Sequence, residues 1–163
     1  LALHLDGARI FNALVARGED PRRYGELFDT LSVCLSKGLG APAGSLLLGP
    51  KALIEKAHRY RKVMGGGMRQ AGYIAAAGRY ALEHHVERLR EDHAKAAAIA
   101  AELAKYSYVA SVLPAETNIV IFTLAEGVTD LTNAYAEFHI IDPANILHEF
   151  FILNSPCKSP RRE

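Results

Sequence analysis

The sequence predicts an α/β fold: a parallel-rich sheet with helices, followed by part of a small α+β unit. Three observations carry this. Two short apolar runs, LALHLD at 1–6 and TLSVCLS at 30–36, enclose a helical pattern, so they read as a βαβ unit with parallel strands. Helical periodicity then governs residues 51–105, broken only by a glycine run. Two further apolar runs, 106–113 and 118–124 (NIVIFTL), follow in the order of a hairpin.

Each element has its own signal. The first strand alternates apolar residues, ends on the carboxylate of Asp6 and is broken by Gly7. ARIFNALVARG at 8–18 follows with helical spacing and stops at Gly18, and a polar stretch containing Pro21 spans 19–26 as a connection. The second strand closes at Lys37 and the glycines behind it. GSLLLG at 44–49 is a third short strand. Pro50 suits the first turn of a helix, and 51–63 carries that helix with Leu53, Ile54, Ala57 and Tyr60 on one side. Gly65, Gly66 and Gly67 end it.

From Met68 to about Lys105 the pattern is helical throughout. At ~1.5 Å per residue this is a rod of roughly 57 Å, too long for a compact domain of this size, so a break is expected at 83–86. The strands at 106–113 and 118–124 are antiparallel if the turn at 114–117 is tight. Beyond Glu126 the pattern thins: 131–151 has room for one helix and one strand, and 154–163 reads as a frayed tail. The expected organisation is a large α/β unit at 1–85, the long-helix continuation and partial small domain at 86–126, and a divergent tail at 127–163.

Composition bounds the function. With 163 residues, half of them hydrophobic and 23% charged, the chain is neither disordered, collagen-like nor disulfide-stapled. Nineteen basic against eighteen acidic side chains give a formal charge of +1, so nothing in the charge argues for nucleic acid or a membrane surface. The longest stretch free of Lys, Arg, Asp and Glu, 38–50, holds four Gly and two Pro in thirteen residues and is no membrane span. Cys34 and Cys157 lack zinc-ligand spacing or a paired framework, which points to a reducing cytoplasm. The chain opens at Leu1 with no leader pattern, as if in mid-domain. A small molecule or another protein is the expected partner.

If the first two strands are parallel neighbours, Asp6 and Lys37 both stand at carboxyl ends, the edge where open α/β sheets bind ligands. Such strands lie ~4.8 Å apart, so the two side chains can reach opposite sides of one planar ring. Pyridoxal phosphate needs this pair: a lysine for the Schiff base, and a carboxylate that keeps the pyridine nitrogen protonated. The duller alternative has Asp6 capping the following helix and Lys37 solvated in a loop, and periodicity alone favours it.

Three longer motifs add to the pair. LHLDGARIFNA, CLSKGLGAPAGSLLLG and RKVMGGGMRQAG resemble signature segments of the low-specificity L-threonine aldolases, pyridoxal-phosphate enzymes of fold type I. The resemblance covers roughly 1–122 and matches the carboxyl-terminal half of that family. It implies the aspartate-aminotransferase-like large domain and the aldol cleavage of L-threonine or L-allo-threonine to glycine and an aldehyde, with pyridoxal 5'-phosphate as cofactor. It implies Lys37 as the Schiff-base lysine, Asp6 as partner of the pyridine nitrogen, and Arg9 as a ligand of the cofactor or the substrate carboxylate. Lys62 and Arg69 match basic positions that reach the cofactor phosphate across a subunit interface, so a homo-oligomer, dimer or tetramer, is implied. Ser36 has the side chain to touch a phosphate. Relative to the family, the amino-terminal half is absent with its phosphate cradle and stacking histidine, and no carboxyl-terminal Arg-x-Val-Thr-His segment follows Glu126. The other readings are a different fold type I enzyme, a β-eliminating lyase or aminotransferase, and an incomplete non-catalytic fragment.

The remaining motifs carry less. His4 alternates with Leu3 and Leu5 as a core or rim histidine; His85 and His93 are eight residues apart on one helix, yet no acidic or Cys partner completes a metal set. SKGLGAPAGS shares only its glycines with a Walker loop, since its Lys follows Ser and no helix comes directly after it.

Overall fold

Apolar alternation at the start of the chain produces β1 (His4–Asp6), and the glycine behind Asp6 turns the backbone into α1 (Ile10–Arg17). Gly18 ends α1 in the left-handed conformation, φ 66°, as its position in the pattern predicts. The polar stretch after it is not an open connection: it forms α2 (Arg22–Leu27), a six-residue helix led by Pro21 at φ −60°. The Asp20 carboxylate accepts the Arg22 N–H at 2.9 Å in its first turn. Nothing in α2 is buried, so it leaves no apolar stripe for a sequence pattern to register. The chain then enters β2 (Thr30–Cys34), which pairs parallel with β1 in the register His4–Thr30, Leu5–Leu31 and Asp6–Ser32. The βαβ expectation agrees with this.

A short connection, closed by the Leu35 N–H on Gly44 O at 3.0 Å, returns the chain as β3 (Ser45–Leu48). It runs antiparallel to β2, giving the order β1-β2-β3, so one of the two strand pairs is parallel. Pro50 then leads α3 (Lys51–Val63), with the predicted bounds. No residue of α3 is buried, and the apolar side read from the pattern is open, with Leu53 at 42% and Tyr60 at 66% exposure. The expected long helix is divided into α4 (Gly72–His84) and α5 (Leu89–Leu103). It begins at Gly72 rather than Met68, because Gln70 takes a left-handed backbone, φ 51°. The break between the two falls within a residue or two of where length alone required one.

The structure is a computed structural model that describes residues 1–127; the helix and strand expected within 131–151 and the tail at 154–163 lie outside the described residues. The chain forms two compact units, Leu1–Arg90 and Glu91–Glu163. The first is centred on Val15, Leu35, Leu39, Ala41, Ala81 and Leu89, with Phe11, Leu82 and Val86 packed against them. In the second, Ala96, Ala100 and Leu103 of α5 gather with Val120. There β4 (Val109–Val112) and β5 (Phe122–Leu124) pair antiparallel, in the hairpin order predicted, with an irregularity between Val109 and Ser111. Among the described residues no helix is long and apolar enough to cross a membrane.

Candidate active site

Parallel pairing of β1 and β2 places Asp6 and the segment after Cys34 at the same, carboxyl end of the sheet. Gly7 makes this possible. Its N–H donates to Ser32 O at 2.8 Å, and a Cβ at Gly7 would lie only 2.8 Å from that same oxygen. Asp6 is exposed, and its Oδ1 accepts the Ala8 N–H at 3.2 Å and, at a longer 3.4 Å, the Ser32 hydroxyl. The N-cap position of α1 is Arg9, which makes no side-chain cap bond, so Asp6 braces the turn before the helix rather than capping it. Arg9 itself is half-buried.

Lys37 opens a tight turn beyond β2. The Gly40 N–H donates to Lys37 O at 2.7 Å and the Ala41 N–H to Leu35 O at 3.0 Å, so the turn is closed at its base. Its underside is apolar, with Leu35, Leu39 and Ala41 all in the core of the first unit. Lys37 is half-buried and Ser36 exposed. Gly38 sits in a tight place: a Cβ there would fall 3.0 Å from Leu89 Cδ2 and 3.3 Å from Oδ1 of the buried Asn12. One contact that sequence reasoning missed joins this turn to the helix break. His85 Nδ1 lies 2.7 Å from Leu39 O, and since a carbonyl oxygen only accepts, Nδ1 carries the proton. The partners are 46 positions apart, so no local pattern signals the bond.

Lys62 and Arg69 flank the glycine run after α3, and both are exposed. The run is tight against the helix end. The Gly66 N–H donates to Arg61 O at 2.8 Å, and a Cβ at Gly67 would lie 3.1 Å from Lys62 Nζ. Among the described residues no hydrogen bond or ion pair joins Lys62 or Arg69 to Asp6 or Lys37. The structure thus places Asp6 and Arg9 where β1 leads into α1, Ser36 and Lys37 in the turn beyond β2 at the same end of the sheet, and Lys62 and Arg69 around the glycine run after α3. His4 is a rim histidine, exposed and bonded through Nδ1 to Thr30 Oγ1 at 2.8 Å.

Asp6 at the end of β1 and Lys37 just beyond the end of β2 thus stand at the same end of the sheet. Residues 1–127 match the family described as beta-eliminating lyase, and the chain belongs to that family. Individual relatives narrow the likeness. The chain is 50% identical over 126 residues to the low specificity L-threonine aldolase of Escherichia coli (strain K12), covering 77% of this chain and 37% of that protein. It is 43% identical over 126 residues to the low-specificity L-threonine aldolase 1 of Arabidopsis thaliana, covering 77% and 35%. A crystal structure from Exiguobacterium sp. 255-15, provisionally described as an aromatic amino acid beta-eliminating lyase/threonine aldolase, superimposes with a TM-score of 0.64 at 29% identity, over 72% of this chain and 34% of that one. The chain spans a little over a third of the length of the curated relatives it matches.

Proposed function

We propose that the protein is a pyridoxal-phosphate-dependent carbon–carbon lyase that cleaves L-threonine and L-allo-threonine to glycine and an aldehyde. The observation that carries this is the placement of Asp6 at the carboxyl end of β1 and of Lys37 in the turn just beyond the parallel neighbour β2, inside a segment about half identical to low-specificity L-threonine aldolases. The residues present fit the cofactor. Lys37 offers an amine from a turn closed by backbone bonds, and the hydrogen-bonded carboxylate of Asp6 stands one strand away. Pyridoxal phosphate supplies, when bound, a protonated pyridine ring that draws electrons from the substrate α-carbon.

Each side chain then has a task of its own. Lys37 Nζ would hold the cofactor covalently. The negative charge of Asp6 favours a proton on the pyridine nitrogen by opposite-charge attraction. Arg9 presents a planar fork suited to a carboxylate, the substrate's or the cofactor's. The Ser36 hydroxyl is a phosphate donor, and Lys62 and Arg69 serve the phosphate of a neighbouring subunit in a homo-oligomer. The substrate is a small amino acid, with no nucleic acid or membrane involved, and the setting is cytoplasmic, in keeping with the free thiol of Cys34.

The family description keeps a second reaction in view, β-elimination by the same residues. Product analysis of the purified, cofactor-loaded protein separates the two. Glycine and acetaldehyde in equal amounts from L-threonine, lost in Lys37→Ala, is the expected result. Ammonia and pyruvate from L-serine without glycine from L-threonine would give the elimination reading instead.

A further inference from the structure

We infer that His85 is a positioning residue for Lys37: its Nδ1–H holds the Leu39 carbonyl and thereby fixes the turn on which Lys37 stands. The inference rests on the proposed role of Lys37 and adds to it a residue at the far end of α4. Three features of the fold carry it. The bond is short, 2.7 Å, and half-buried, so an uncompensated carbonyl would remain if the donor were removed. The ring starts from a fixed point, because the His85 backbone N–H closes the last turn of α4 on Ala81 O at 2.9 Å. Tyr80 stands edge-on to the imidazole, with centroids 5.5 Å apart at 86°.

The turn itself explains why a clamp is needed. Its two backbone bonds, Gly40 N–H to Lys37 O and Ala41 N–H to Leu35 O, tie its ends but leave the Leu39 carbonyl to be satisfied from outside. Gly40 adopts φ +70° and sets its Cα side toward the ring: a Cβ there would sit 3.8 Å from His85 Nδ1. Leu39, 3% exposed, anchors the turn through its side chain, and His85 anchors the same residue through its backbone. A lysine that must place one nitrogen at one carbon depends on that footing, since a displacement of ~1 Å can cost a site on the order of a hundredfold.

The test compares the wild-type protein with His85→Leu, which keeps much of the volume and loses the donor, and His85→Asn, whose side-chain amide can donate from nearly the same place. Amide hydrogen exchange is read at Gly40 and Ala41, with Leu31 and Val33 of β2 as the reference for global stability. His85→Leu should speed exchange at Gly40 and Ala41 by about fivefold or more and leave Leu31 and Val33 unchanged, while His85→Asn restores protection. Borohydride trapping of pyridoxal phosphate on Lys37 should fall and recover in parallel. Unchanged exchange at Gly40 and Ala41 in His85→Leu overturns the inference, as does trapping that ignores a loosened turn. If His85→Leu loosens β2 as well, His85→Asn decides: retained protection supports the clamp and lost protection refutes it. Absence of trapping in the wild type would count against the role of Lys37, and the exchange arm would still decide the clamp.

Discussion

Gly7 fixes where the carboxylate of Asp6 stands, because it is the residue at which β1 passes close beside the backbone of β2. The clash a side chain would make there is with a backbone oxygen, Ser32 O at 2.8 Å, which cannot rotate away. Gly7→Ala should therefore cost about 1–3 kcal/mol of unfolding free energy, measured by urea denaturation; a variant as stable as wild type would contradict the close approach. Tyr24 offers a titration. Its hydroxyl donates to Glu19 Oε2 at 2.6 Å, and this hydrogen bond, with smaller help from burial and the Glu19 charge, raises the phenol above its ordinary value of 10.0. The folded protein then holds this proton to higher pH than the unfolded chain does. The contribution to stability is complete below pH 10 and is lost as pH rises through the raised folded value. The tyrosinate absorbance difference between wild type and Tyr24→Phe should appear above pH 10.0, and a midpoint at or below it would contradict the bond.

At the scale of elements, β3 and α3 leave large apolar side chains open. All four residues of β3 are exposed, with Leu46, Leu47 and Leu48 at 39, 45 and 46%, and its outer edge has no strand beside it among the described residues. Tyr60, Val63 and Met64 at the end of α3 are open by 66, 77 and 85%. Apolar surface on both faces of an edge strand is a template for association. The purified 163-residue chain should thus sediment as an associated species, and a stable monomer that unfolds cooperatively would refute this. These two elements also mark a limit of sequence reading. The stripe Leu53, Ile54, Ala57 and Tyr60 gave the bounds of α3 correctly, but periodicity identifies a face that needs cover without saying what covers it. The six-residue α2 was missed because it buries nothing. The βαβ start, the helix break and the hairpin were legible because each rests on local spacing or on length. Lys37 and Asp6 stood out through their motifs and strand ends. His85 did not, since its bond to Leu39 exists only once α4 has folded against the first unit's core.

For the molecule as a whole, the proposed activity rests on one amine. A beta-eliminating lyase match over residues 1–127 and 50% identity to a low specificity L-threonine aldolase place the chain in its family. The activity follows only if Lys37 carries the cofactor. The direct measurement is borohydride reduction of the protein incubated with pyridoxal 5'-phosphate, followed by peptide mapping. The reduced adduct is expected on the peptide containing Lys37, and absent in Lys37→Ala. An adduct found instead on Lys51 or Lys62, or one that persists undiminished in Lys37→Ala, would contradict the proposed activity.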